Sequence, residues 1–379
     1  MKTLLKMLSV LVLGLAAGAA LFWGFTKNPF YAKLKRQEVG VIQEALPIVY
    51  ITDPQVGPML LPHTKIHYHT PYFDSTVITN AEGFTGRDYP LKTSNYRIAV
   101  MGDSAVEAYG VADTNRFTHL TEALVYSKTK GKLKVEVMGF GVSGWGNVQH
   151  YGAIRKYVLK YHPDEIWLTF LVTNDTGDNT PLMNGPPNGP TFIYKGPDSN
   201  EIVDIAFGYP DIPDALEAER QRRYGDYLKD TWGKWTDGLL PYYWSPEHNP
   251  QWDLVMDHTL QTLKLIKKVC AENHIKLALV YRVTGYDQNA GEFESYKKEV
   301  AAFLKRPLPM DRELGVRRFR KQVEDLGIEF INMLSMKEEG IVSRRGEGDI
   351  NKHLVWAQFF SDVIIKRLGA EPAPGGPAK

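Results

Sequence analysis

The stretch Tyr96-Arg97-Ile98-Ala99-Val100-Met101-Gly102-Asp103-Ser104 decides how this chain is read. Residues 97 to 101 form a short apolar run of strand length that ends at Gly102. Asp103 and Ser104 follow, both residue types that open helices. Phe117, Leu120 and Leu124 then recur at helical spacing. The same strand-then-helix order repeats downstream. Val135 to Met138 reads as a second strand, closed by Gly139 and Gly141. Val148, Tyr151, Ile154, Val158 and Tyr161 lie three or four apart and give one helix an apolar face, which Pro163-Asp164 ends. Ile166 to Val172 is a continuous apolar run, the pattern of a strand buried on both faces. After a long gap come a helix from Val255 to Cys270 and a strand from Ile275 to Val283. A helix from Leu314 to Leu326, a strand from Ile328 to Ile331 and a closing helix from Leu354 to Leu368 complete the series. Repeated units of this kind predict a three-layer α/β/α domain, a central parallel sheet with right-handed connections and helices on both faces.

Outward from that core, residues 95–369 form the expected main domain and 27–94 a lead-in of short strands and loops. Residues 180–252, rich in Pro, Gly and aromatics, read as an insertion with a short charged helix from Glu217 to Leu228. Residues 370–379 read as a disordered tail. At the start, Lys2 and Lys6 precede an uncharged apolar run from Met7 to Phe25, close to the roughly 20 residues a spanning helix needs. Ala17-Gly18-Ala19 offers a cleavage site, but Leu21, Phe22, Trp23 and Phe25 continue the run past it. Residues 1–26 are therefore expected to be a signal anchor, or else a cleaved signal peptide. Either puts the rest outside the cytoplasm: held at a bacterial inner membrane and facing the periplasm, or secreted.

Bulk composition excludes several classes. Lys plus Arg is 45 and Asp plus Glu is 44, so there is no basic excess to track a phosphate backbone and no nucleic-acid partner is expected. The lone Cys270 can form neither an internal disulfide nor a cysteine zinc cluster, and reads as a small hydrophobe on a helix face.

In a parallel sheet, sites form where strands end and helices begin. Four segments fall there. Gly102-Asp103-Ser104 could expose a hydroxyl and a backbone N–H, or could simply cap a helix. Gly139 to Gly146 lacks the Lys-Ser/Thr and the G-x-G-x-x-G register of nucleotide loops, and Trp145 breaks G-x-S-x-G. It reads as a tight turn, or as a turn with a backbone N–H open to an oxyanion. Val172-Thr173-Asn174-Asp175 ends the buried strand, with Asn174 either a cap or a donor. Asp349-Ile350-Asn351-Lys352-His353 places a histidine near a carboxylate at a helix start, a combination suited to a general base.

Taken in order, these four segments resemble the SGNH (GDSL-like) hydrolase family over roughly residues 95 to 369. Asn80 to Arg87 also looks like the lead-in of its exported bacterial members. The resemblance implies an esterase or deacylase that works through an acyl-enzyme. Ser104 would be the nucleophile, and Ser104, Gly144 and Asn174 the oxyanion donors. His353 would be the base and Asp349 its orienting carboxylate. No metal or organic cofactor is called for. The implied partner is an acyl ester, on a polysaccharide or a lipid. The chain departs from the family pattern twice: Val172 stands two before Asn174 where glycine is usual, and Asp349 is four residues from His353 instead of three. Glu347 is the alternative orienter.

Parts of the same sequence fit other readings. The same triad could transfer the acyl group to a cell-envelope sugar, as an O-acyltransferase. The altered Asp/His spacing and the insertion fit a non-catalytic membrane-anchored scaffold. His63, His67 and His69 could hold a metal, although surface or packed positions are the plainer reading. Trp232, Trp235, Tyr242, Tyr243, Trp244 and Trp252 could stack on sugars, although filling a core or seating a lid is the plainer reading.

Overall fold

The computed structural model describes residues 50–69, 74–181, 190–196, 198–207, 218, 222–223, 238–333 and 350–369. At its centre lie five parallel strands: β5 (Tyr96–Gly102), β6 (Val135–Gly141), β7 (Glu165–Phe170), β10 (Lys276–Tyr281) and β11 (Glu329–Asn332). They run side by side in the order β11-β10-β7-β5-β6. Relative to chain order this is 2-1-3-4-5, the doubly wound arrangement in which strand order reverses between the first and third strands. Here that switch point lies between β5 and β7, paired in register from Ile98 opposite Glu165 to Met101 opposite Leu168.

The alternation of side chains along each strand divides the core in two. Ala99, Met101, Met138, Phe140, Leu168 and Leu279 face one helical layer. It comprises α3 (Asn147–Ala153), α5 (Pro250–Glu272), α7 (Ala290–Leu304) and α8 (Leu314–Asp325). Ile98, Val100, Val137, Trp167 and Val280 face the other, made by α2 (Phe117–Lys128) and α9 (Ile350–Arg367). Three short helices complete the described set: α1 (Ser104–Glu107), α4 (Val172–Asp178) and α6 (Gly285–Gln288). Two antiparallel hairpins, β1 (Tyr50–Asp53) with β2 (Gly57–Leu60) and β3 (Lys65–His69) with β4 (Asp74–Ile78), make up the lead-in. A third, β8 (Pro190–Tyr194) with β9 (Ile202–Phe207), belongs to the insertion.

Several boundaries differ from those expected. β6 runs on through Gly139 and ends at Gly141. A Cβ at Gly141 would stand 2.5 Å from Val106 Cβ. The apolar run to Val172 is split: β7 stops at Phe170 and Val172 opens α4, so Asn174 is on a helix and not a loop. Asn249 caps α5, accepting from Gln251 and Trp252, with Pro250 at the first helical position, so that helix begins earlier than the periodicity suggests. The closing helix likewise starts at Ile350, which puts His353 inside it. Tyr242, Tyr243, Trp244 and Trp252 are core residues, and Cys270 is buried with its thiol pushed up to about 12 by burial. Residues 1–26, most of the Glu217 to Leu228 segment, Trp232, Trp235 and the tail lie outside the described residues. Among the described residues no helix is long and apolar enough to cross a membrane.

Candidate active site

β5 ends at the switch point, and the chain turns at Asp103 so that Ser104 is the first residue of α1. Asp103 caps this helix: its Oδ1 accepts the Ala105 N–H at 3.0 Å. Two side chains from neighbouring strand ends hold the same carboxylate. Arg282, just beyond β10, donates from Nη1 to Oδ1 at 2.9 Å. Asn174, on α4 beyond β7, donates from Nδ2 to Oδ2 at 3.2 Å and to Asp178 Oδ2 at 3.0 Å. Asn174 thus stands at the site, as expected, but its amide is spent on two carboxylates. Beside it, burial and the charge of Asp103 push the Asp175 carboxyl well above the usual carboxylate range. Its Oδ1 has no hydrogen-bond partner. His150, fully buried on α3, is pushed down to about 4 by burial, with the Gly102 carbonyl and Asp103 opposing.

The turn after β6 supplies the second piece. Trp145 N–H returns to the Val142 carbonyl at 3.1 Å, and Gly144 adopts φ +81°, a left-handed conformation suited to glycine. The Ser143 N–H donates to Glu107 Oε2 at 2.5 Å. Among the described residues, the backbone N–H groups of Ser104 and Gly144 have no acceptor. Ser104 is half-buried and Gly144 exposed.

His353 lies on α9, packed against the start of α2. It is 1% exposed, stacked on Phe117 with ring centroids 5.9 Å apart. Its Nδ1 accepts the Phe117 N–H at 3.1 Å. The reason is local: Phe117 opens α2, whose first N–H groups lack intrahelical partners, and the preceding Arg116 side chain gives no cap. His353 supplies one. An Nδ1 that accepts carries no hydrogen, so the neutral ring holds its proton on Nε2. In a triad the Nδ1–H instead donates to a carboxylate. Asp349 and Glu347 lie outside the described residues.

A cavity of 510 Å³ opens at the carboxyl ends of β7, β10 and β11, lined by Thr173, Arg282, Tyr286, Tyr296, Lys352 and Trp356 among others. Arg282 joins it to Asp103. Trp356 sits between two cations, Arg282 at 4.9 Å and Lys352 at 5.2 Å from its ring centre. Tyr286 and Tyr296 stack at 4.3 Å. Among the described residues no three His, Cys, Asp or Glu side chains cluster to hold a metal. His67 is instead exposed and 3.2 Å from Asp74. Arg282, Glu107 and His150 escaped the sequence reading. Only Arg282 left a signal, as a charge at the end of an apolar strand.

No family model matches the sequence, and no curated protein matches it either. The chain is similar to solved structures of esterases. An acetyl xylan esterase aligns at 14% identity over 71% of this chain and 100% of its own, with a TM-score of 0.36. A psychrotrophic esterase from Pseudoalteromonas sp., inhibited by monoethylphosphonate, aligns at 12% identity over 73% of this chain and 100% of its own, with a TM-score of 0.36. A lipolytic protein of the G-D-S-L family from Desulfitobacterium hafniense aligns at 11% identity over 71% of this chain and 99% of its own, with a TM-score of 0.34.

Proposed function

We propose that this chain is a serine-dependent carboxylic-ester hydrolase of the SGNH type with Ser104 as its nucleophile. One observation supports this above the others. At the switch point of the sheet, Ser104 follows a buried, clamped aspartate, and its own N–H and that of Gly144 are both uncommitted. The Ser104 oxygen attacks the ester carbonyl, the alcohol leaves, and water releases the acid from the acyl-enzyme. The two N–H groups take the developing oxyanion charge, each worth about 3 to 4 kcal/mol of barrier.

In this proposal His353 takes the Ser104 proton, with Asp349 or Glu347 orienting it. That requires the ring to release the Phe117 N–H and present an unprotonated Nε2. The apolar run from Met7 to Phe25 supports export, and an acylated glycan or a lipid of the cell envelope is the substrate class this favours. The cavity beside Arg282, with its two stacked tyrosines, has room for the alcohol part of such an ester. If a sugar hydroxyl took the acyl group there, the same site would act as an O-acyltransferase.

The test uses the whole chain with short acyl esters of increasing length and a fluorinated alkylphosphonate that labels activated serines. Hydrolysis, and a phosphonyl adduct located on Ser104 by mass spectrometry, are expected, with both abolished in Ser104→Ala. Turnover unchanged in Ser104→Ala would end the serine mechanism. A second reading, a scaffold that keeps the fold without the chemistry, has two observations in its favour: the Phe117–His353 bond and the double commitment of Asn174. It predicts neither turnover nor adduct.

A further inference from the structure

Glu107 is completely buried three residues after Ser104 on the same short helix. Burying a carboxylate is costly unless it is well bonded, so an acidic residue is a poor choice for mere filling. Its bonds reach two separate parts of the chain. Oε2 accepts the Ser143 N–H at 2.5 Å, and Oε1 accepts the Tyr50 hydroxyl at 3.1 Å. The main chain of the helix is fixed as well. Arg116 donates to the carbonyls of Val106 at 2.7 Å and Glu107 at 2.8 Å, and Thr85 donates to the Glu107 carbonyl at 2.7 Å. These are the end carbonyls that a four-residue helix leaves without intrahelical partners.

We propose that Glu107 is a positioning residue of the acylation site, tying the Ser143-Gly144 turn to the helix that begins at Ser104. With the Ser143 peptide held, only the torsions around Ser143 and Gly144 remain to aim the next N–H. Gly144 needs that support: among the described residues nothing lies within 4 Å of where its Cβ would be. Tyr50 makes the lead-in part of the same device, because β1 braces the carboxylate from the far side. This inference rests on the reading of Ser104 as nucleophile and Gly144 as oxyanion donor.

The test compares Glu107→Ala, Glu107→Gln and Tyr50→Phe in the full chain. Readouts are kcat and KM on a short ester, the rate of Ser104 phosphonylation, and the melting temperature. Glu107→Ala is expected to lower kcat about 100-fold with KM little changed, and to slow phosphonylation in parallel, as when one oxyanion donor is lost. Glu107→Gln keeps an acceptor for Ser143 and should recover most of that loss, to within about tenfold of the parent. Tyr50→Phe, which leaves the core intact, should cost about threefold in kcat. A folded Glu107→Ala with kcat within threefold of the parent overturns the proposal, as does a loss confined to KM. Should Glu107→Ala not fold, an unchanged kcat in Tyr50→Phe overturns it. A parent enzyme that Ser104→Ala inactivates, with all Glu107 variants fully active, sinks this inference alone. A parent with no turnover and no adduct removes the hydrolase reading and this one together.

Discussion

Arg282 and Asp103 come from opposite sides of β7, yet their side chains meet at 2.9 Å and are only 7% and 4% exposed. The guanidinium is the cation that lets a carboxylate sit beneath Ser104. Removing one partner of a buried pair leaves an uncompensated charge and typically costs about 3 to 5 kcal/mol. Arg282→Met should therefore lower the free energy of urea unfolding by that order and abolish ester turnover. A loss below about 1 kcal/mol would mean that this pair contributes little to the fold.

Asn174 separates two roles that one residue type can play. As an oxyanion donor its loss would cost about 100- to 1000-fold in kcat. As a clamp of Asp103 and Asp178 its loss would mainly cost stability. Asn174→Ala measured for both kcat and unfolding decides between them, and the bonds to two carboxylates predict that stability falls too. Asn174→Asp should be worse on both counts, because it sets a further carboxylate against Asp103 and Asp178.

Much of this was legible in the sequence because parallel strands are buried on both faces and appear as uninterrupted apolar runs. The run from Arg97 to Met101 marked β5, and with it the place of Ser104; that from Ile166 to Val172 marked β7 but overran its end by two residues. Less visible were features that depend on distant partners. Nothing local to Glu107 says that it meets Ser143 and Tyr50, 36 and 57 residues away. His353 shows the same limit from the other side. Its spacing reads as that of a base, and nothing local shows that it also accepts a bond from an uncapped helix start 236 residues away.

That bond gives a spectroscopic prediction. In the resting protein the His353 ring should be neutral, with its hydrogen on Nε2 and Nδ1 bare. Nitrogen-15 spectra of labelled histidine, assigned by comparison with His353→Gln, read the tautomer directly. An Nδ1–H signal for His353 would show the ring already turned to a carboxylate, as a triad requires.

Acid sensitivity can be tested on His258, which lies fully in the core against Phe192 with its Nδ1 3.0 Å from Thr180 Oγ1. Burial pushes this imidazole down to about 3, from an ordinary value of 6.5. Between those values the unfolded chain binds more protons than the folded one. Stability from this group is therefore complete above about pH 6.5 and is lost as pH falls towards 3, by up to about 1.4 kcal/mol per unit. Half-buried Glu122, pushed up to about 7 by desolvation, acts in the opposite sense between pH 4.5 and 7. The informative quantity is thus a difference. As pH falls from 6.5 to 4, His258→Gln should gain stability relative to the parent at about that slope, read from paired urea unfolding curves. Parallel curves would show that His258 is protonated in the folded state.

Gly102 sets how closely α1 lies on the sheet. A Cβ there would stand 2.3 Å from Val106 Cγ2 and 2.4 Å from Thr169 Oγ1. Neither atom is at the end of a flexible chain, and Thr169 Oγ1 is itself held on the Met101 carbonyl at 3.0 Å. Gly102→Ala must therefore lift α1 or distort β5, a form of overpacking that typically costs about 1 to 3 kcal/mol. Because Ser104 starts the helix being lifted, kcat should fall further than stability predicts. The paired variant Gly102→Ala with Val106→Ala removes the nearer obstacle and should regain part of both. A Gly102→Ala protein as stable and active as the parent would mean that α1 already stands off the sheet.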